Sequence, residues 1–96
     1  MVYVDSLMTW GWKMHGKSVD SCHMITDQAD LAELHEMAQK IGLKRAWFQN
    51  KPGRPHYDLT KSRRDVAVEC GAVEVSSRQA LKILQERDIL IKKGEE

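Results

Sequence analysis

At 96 residues, with 42% hydrophobic and 30% charged side chains, the chain has material for one domain with one modest core, and is too apolar for a disordered tail. Fifteen basic against fourteen acidic residues give a formal net charge of +1, which excludes a global basic field and leaves a nucleic-acid partner open only through local contacts. No long apolar run or charged leader is present, so no membrane partner and a cytoplasmic location are expected, with Cys22 and Cys70 as reduced thiols outside any CxxC spacing.

Val2-Tyr3-Val4 is a short β-branched and aromatic run that predicts a buried strand, with Asp5 emerging at its end as a site candidate. Residues 6–21 show no clear period and mix Trp10, Trp12 and His15 with Gly11 and Gly16, which predicts a long loop or lid. Trp10 and Trp12 either stack on a ligand base or pin that loop to the core; packing is the commoner role of Trp. Cys22 to Ile25 is expected as a brief strand. Cys22 beside His23 makes a poor nucleophile and base pair, because neighbours on an extended chain point apart.

Leu31, Leu34, Ala38 and Ile41 recur at helical spacing before Gly42, so a helix is expected from about Gln28 to Ile41, opened by a capping-box-like Asp30 and Glu33. His35 falls within its apolar stripe, where a histidine is more often a core residue than a ligand. Lys44 to Gln49 reads as a second strand with Trp47 near the core, followed by turn chemistry at Asn50 to Pro55.

In an extended His56-Tyr57-Asp58-Leu59, His56 and Asp58 share one face and Tyr57 and Leu59 the other. Thr60 then caps a helix over Lys61 to Cys70 with an apolar stripe of Val66, Ala67 and Cys70, ended by Gly71. Arg63 and Arg64 in its first turn join free backbone N–H groups at the positive end of the helix dipole, a place suited to phosphate. Ala72 to Val75 is expected as a third strand, and Ser76 with Gln79 as a capping box opening a helix with Ala80, Leu81, Ile83 and Leu84 inward. Ile89 to Ile91 is expected as an edge strand through which a homodimer could form, and residues 92–96 as a frayed tail. The alternation of strand and helix predicts a single α/β domain over 1–96, a short, mostly parallel sheet with about three helices packed on it.

The chemistry concentrates in His56, Asp58, His35 and His23 as candidate acid, base or orienting groups, with Arg64, Arg63, Thr60, Asp5, Trp10 and Trp12 as ligand or phosphate contacts. A divalent metal stays open as a cofactor, although it needs three or four of these groups to converge and the histidines follow no recognised short spacing such as HExxH. The expected partner is a phosphorylated or nucleotide-like ligand, with phosphoester hydrolysis as the reaction. The alternative is a non-catalytic module that sequesters a nucleotide or binds a partner, its polar cluster being structural.

Taken together, VYVD at Val2 to Asp5, His23, ELH at Glu33 to His35, IGL at Ile41 to Leu43, WFQ at Trp47 to Gln49, HYDLT at His56 to Thr60, Arg64 and GA at Gly71-Ala72 resemble a small bacterial and phage family catalogued as domain of unknown function 4031. The resemblance covers most of the chain. It implies that Asp5, His23, His35, His56, Asp58 and Arg64 belong to one recurring set, and it implies no activity.

Overall fold

In the computed structural model, which describes residues 1–94 without the side chains of Trp10, Trp12 and Met14, the opening β-branched run becomes strand β1 (Val2–Val4). It lies between the long strand β3 (Lys17–Thr26), antiparallel to it, and the two-residue β6 (Val73–Glu74), parallel to it. The other edge of β3 pairs antiparallel with β5 (Arg54–Thr60), which pairs in turn with β4 (Gln49–Lys51). The sheet is therefore mixed and mostly antiparallel, with strand order β4-β5-β3-β1-β6 and β2 (Met8–Met14) also on β3. This corrects the expectation of a mostly parallel sheet. Two-residue turns, which join only antiparallel strands, connect β2 to β3 and β4 to β5, and the β1–β6 pair is the parallel one.

The first of those turns lies inside the stretch expected as a loop or lid. Residues 8–26 form a hairpin of β2 and β3, with Met14 facing Lys17 across a turn whose His15 and Gly16 have φ of 54° and 78°. Two positive φ values are what the favoured two-residue hairpin turns demand. The second turn is Pro52-Gly53, Gly53 at φ 73°, joining β4 to β5. Lys44 to Gln49, expected as a strand, holds a single 3-10 turn at Arg45–Trp47; Trp47 is exposed there, beneath Lys44 Nζ, rather than in the core.

Three helices complete the domain: α1 (Ala32–Lys40), α2 (Lys61–Glu69) and α3 (Ser77–Gly94). Helix α1 starts later than expected. Asp30 accepts from the Ala32 N–H, while Glu33 turns to the Met1 amine instead of closing a capping box. Its end is as expected: Gly42 takes φ 85° and Leu43 N–H bonds back to Ala38, and α2 repeats the arrangement through Gly71 and the Ala72 to Ala67 bond. Thr60 accepts from Arg63 N–H to cap α2, and Ser76 and Gln79 close a reciprocal capping box at the start of α3. Ile89 to Ile91 continue α3 as helix, with Ile89 and Leu90 exposed, and residues 92–94 of the expected frayed tail belong to it too, so the edge strand from which a homodimer was argued is absent among the described residues. A three-residue apolar run fits either period, and the helix already under way decides it.

The core lies on one face of the sheet. Val2, Val4, Cys22, Met24, Tyr57 and Leu59 point from the strands toward Leu34, Ala38 and Ile41 of α1 and Ala67 of α2. Each large side chain buried there contributes roughly 1.5–3 kcal/mol. Val66, expected in the α2 stripe, is exposed instead, and Leu81 of α3 is too. Helix α3 crosses the opposite face, where Arg87 donates from Nε and Nη2 to the carbonyls of Gln28 and Ala29. Among the described residues no helix is long and apolar enough to cross a membrane.

Candidate functional site

Strand alternation turns Ser21, His23 and Ile25 of β3, and His56 and Asp58 of β5, onto the face that α3 covers. Register does the rest. His23 stands directly opposite Asp58, and Gln49 directly opposite His56, so neighbouring strands deliver one continuous polar row. Its fifth member is Asp5. Between the β1 pair Val4 with Met24 and the β2 pair Met8 with Ser21, three residues, Asp5 to Leu7, face two, Cys22 and His23. At this bulge the Asp5 N–H donates to the His23 carbonyl, and the Asp5 Oδ1 accepts the His23 N–H at 2.6 Å. A carboxylate thus fills a ladder position that a peptide carbonyl would otherwise hold.

The second oxygen of Asp5 accepts from His23 Nδ1 at 2.8 Å. That hydrogen bond lifts the His23 imidazole above its ordinary value against the opposing effect of burial. His56 Nδ1 lies 2.8 Å from the Arg54 carbonyl. A carbonyl only accepts, so Nδ1 carries the proton and Nε2 is the ring atom turned toward Asp58. Asp58 Oδ1 is 3.3 Å from His56 Nε2 and 3.9 Å from His23 Nε2, and the two rings meet edge to face at 5.0 Å. Gln49 Nε2 donates to the other oxygen, Asp58 Oδ2. The His56 imidazole, helped by Gln49 and His23, holds the Asp58 carboxyl below its ordinary value although burial opposes this.

These groups line a cleft of about 470 Å³. Lys51 and Arg54, from either side of the Pro52-Gly53 turn, bring positive charge to it, and Ile25, Leu81 and Leu84 make its apolar wall. Gln49, Lys51, Arg54 and the α3 residues were missed from sequence. A two-residue Pro-Gly turn would have found Gln49, because it forces Lys51 opposite Arg54 and hence Gln49 opposite His56.

Of the expected site residues, Asp5, His23, His56 and Asp58 come together, and His35, Arg63, Arg64 and Thr60 are engaged elsewhere. His35 lies on the core side of the sheet, its Nδ1 2.9 Å from the Tyr57 hydroxyl and its ring edge-on to Phe48 at 4.7 Å. Burial, with Arg45 nearby, pushes its pKa down. Arg63 donates to the Ile41 carbonyl at the end of α1, where a cation meets the negative end of that helix, and stands against Gly42. Arg64 donates from Nε to the Asp5 carbonyl at 2.9 Å and pairs with Glu74 at 2.7 Å. Both arginines, expected as phosphate contacts, thus hold backbone carbonyls, and Arg64 fixes the backbone of Asp5. Thr60 is occupied as the α2 cap. The readings placed on Trp10 and Trp12 concern side chains outside those described. Cys22 is fully buried and its thiol is pushed up to about 12, first by burial, which removes it as a nucleophile.

The family described as "Protein of unknown function (DUF4031)" matches residues 2–87. The chain belongs to this family. That stretch carries every residue of the cleft, so the geometry above belongs to the part of the chain that defines DUF4031 membership. No curated protein and no solved structure matches the chain.

Proposed function

We propose that the chain binds a phosphorylated small molecule or nucleotide in the cleft under α3 and hydrolyses its phosphoester. The observation that carries this reading is a single concave site holding His23, His56 and Asp58 together with the cationic Lys51 and Arg54. Guanidinium and ammonium groups neutralise phosphate, with Arg54 able to bind two of its oxygens at once. Leu81 and Leu84 offer a surface for the uncharged part of the ligand.

In the reaction, water adds to phosphorus, the bond from phosphorus to the ester oxygen breaks, the water gives up a proton to the site, and the ester oxygen leaves carrying one. His23 and His56 can activate the water as bases through Nε2 or by holding an ion between them. Asp5 acts through His23 and is a positioning residue.

Phosphate release from a panel of nucleotides and phosphomonoesters tests the reading. Turnover is expected to fall at least about 100-fold in Asp58→Asn, while Arg54→Ala raises KM more than it lowers kcat. Recovery of a tightly bound phosphorylated compound intact after long incubation would make the protein a sequestering module. Failure of the wild-type chain to bind any member of the panel would sink both forms of the proposal.

A further inference from the structure

We propose that His23 Nε2, His56 Nε2 and Asp58 Oδ1 together hold one divalent ion of the zinc class. These three side chains bring a ligand atom each within 4.8 Å of the others. Both imidazoles direct Nδ1 at an acceptor, the Asp5 carboxylate and the Arg54 carbonyl, so in their neutral forms both offer Nε2 as a lone pair toward an ionised carboxylate. Acceptors gathered in this way call for a positive charge among them. One proton serves only a pair, such as His56 with Asp58 at 3.3 Å, whereas one ion serves all three.

The spacing suits such an ion. Tetrahedral coordination with bonds of about 2.0–2.1 Å places neighbouring donor atoms roughly 3.3 Å apart. His56 and Asp58 already stand at 3.3 Å, while His23 stands 3.9 Å from the same oxygen and the three donors lie within 4.8 Å of one another, so the His23 ring turns inward to close on the ion. What lies behind the three donors supports the assignment more strongly. Asp5 orients the His23 ring, the Arg54 carbonyl orients the His56 ring and Gln49 holds the far oxygen of Asp58, the outer partners by which metal-binding proteins fix tautomer and ligand direction. Two imidazoles and one carboxylate favour zinc-class ions over magnesium or calcium, which prefer oxygen donors. Three protein donors also leave a coordination position for water, whose pKa such an ion lowers to about 7.

The inference rests on ligand geometry; it shares His23, His56 and Asp58 with the hydrolytic reading but does not require turnover. The test uses the full chain stripped with a chelator and titrated with Zn²⁺ by calorimetry, with Co²⁺ as a spectroscopic probe. One ion per chain is expected, bound far more tightly than Mg²⁺. Asp58→Asn and His56→Ala should each weaken it more than about 100-fold, and Gln49→Ala, which leaves the core untouched, about 10-fold. His35→Gln should leave affinity and the Co²⁺ spectrum unchanged. Absence of stoichiometric Zn²⁺ binding, or binding that survives both Asp58→Asn and His56→Ala in folded protein, overturns the site. Tight Zn²⁺ binding without turnover of any phosphorylated compound keeps the ion and removes the hydrolase; turnover in chelator by a chain that also fails to bind Zn²⁺ in the titration keeps the hydrolase and removes the ion.

Discussion

Strand β5 shows the two faces of the sheet side by side. Tyr57 and Leu59 go into a sealed core, Tyr57 meeting His35 through its hydroxyl, while His56 and Asp58, one residue away in each direction, enter the cleft under α3. Each face therefore carries histidine, but with partners of different charge. His35 has a neutral phenol and an aromatic neighbour and is depressed by burial; His23 has a carboxylate and is raised by it. A histidine with a neutral partner serves the fold, and histidines gathered with carboxylates are the ones positioned for chemistry.

The sharpest way to break this comparison is a pair of substitutions two strand positions or fewer apart. Leu59→Ala, at a fully buried core position, is expected to cost about 2–5 kcal/mol in denaturant unfolding. Asp58→Asn keeps the shape of a side chain that is 36% exposed and should cost about 1 kcal/mol or less while removing the proposed ion binding and turnover. Similar losses of stability from both would mean that the cleft face is structural too.

A smaller effect separates the faces by pH. His35 has its ordinary value of 6.5 in the unfolded chain and a lower one when folded. As pH falls through the window between them the unfolded chain takes up the proton first, so stability present above about 6.5 is lost until the folded value is reached. The raised His23 works the other way, adding stability as pH falls, so the His35 share is the difference between wild type and His35→Gln measured from pH 7.5 to 5, with the variant losing less. A decline of the same size in the variant would assign it elsewhere.

The smallest perturbation is thiol labelling of the native protein at pH 8. Cys22, buried in the core with its thiol held near 12, should stay unmodified while the half-buried Cys70 reacts. Labelling of Cys22 as fast as Cys70 would show that the core face opens readily.

Local chemistry was legible in the sequence wherever one residue type decides it. Gly42 and Gly71 stop helices, Thr60 and Ser76 start them, and period-two alternation at His56 to Leu59 assigned both faces of β5. Pairing was less legible. The His15-Gly16 turn lacks the usual Asn-Gly or Asp-Gly signature, and Trp10-Gly11-Trp12 does not alternate apolar with polar, so a hairpin looked like a loop. Missing it also hid the antiparallel order. For the site, Asp5, His23, His56 and Asp58 could be named from their types, but which histidine lay on which side of the sheet depended on α1 packing against Tyr57. The carbonyl contacts of Arg63 and Arg64 were not legible for a related reason: helix-start cations can serve a phosphate or a neighbouring carbonyl, and these contacts follow from tertiary packing.

The bulge at Asp5 has a consequence for how the chain finds its fold. One carboxylate grips both the backbone and the ring of His23, so the imidazole is aimed only when β1 and β3 have closed at the right residue. A slip of one position would send His23 into the core and leave Asp5 facing Cys22 or Met24. Such a misaligned pairing would bury a carboxylate without its partner and would be heavily penalised. The polar cluster is thus also a register lock, and an ordered His23 ring reports that the central strands have paired correctly.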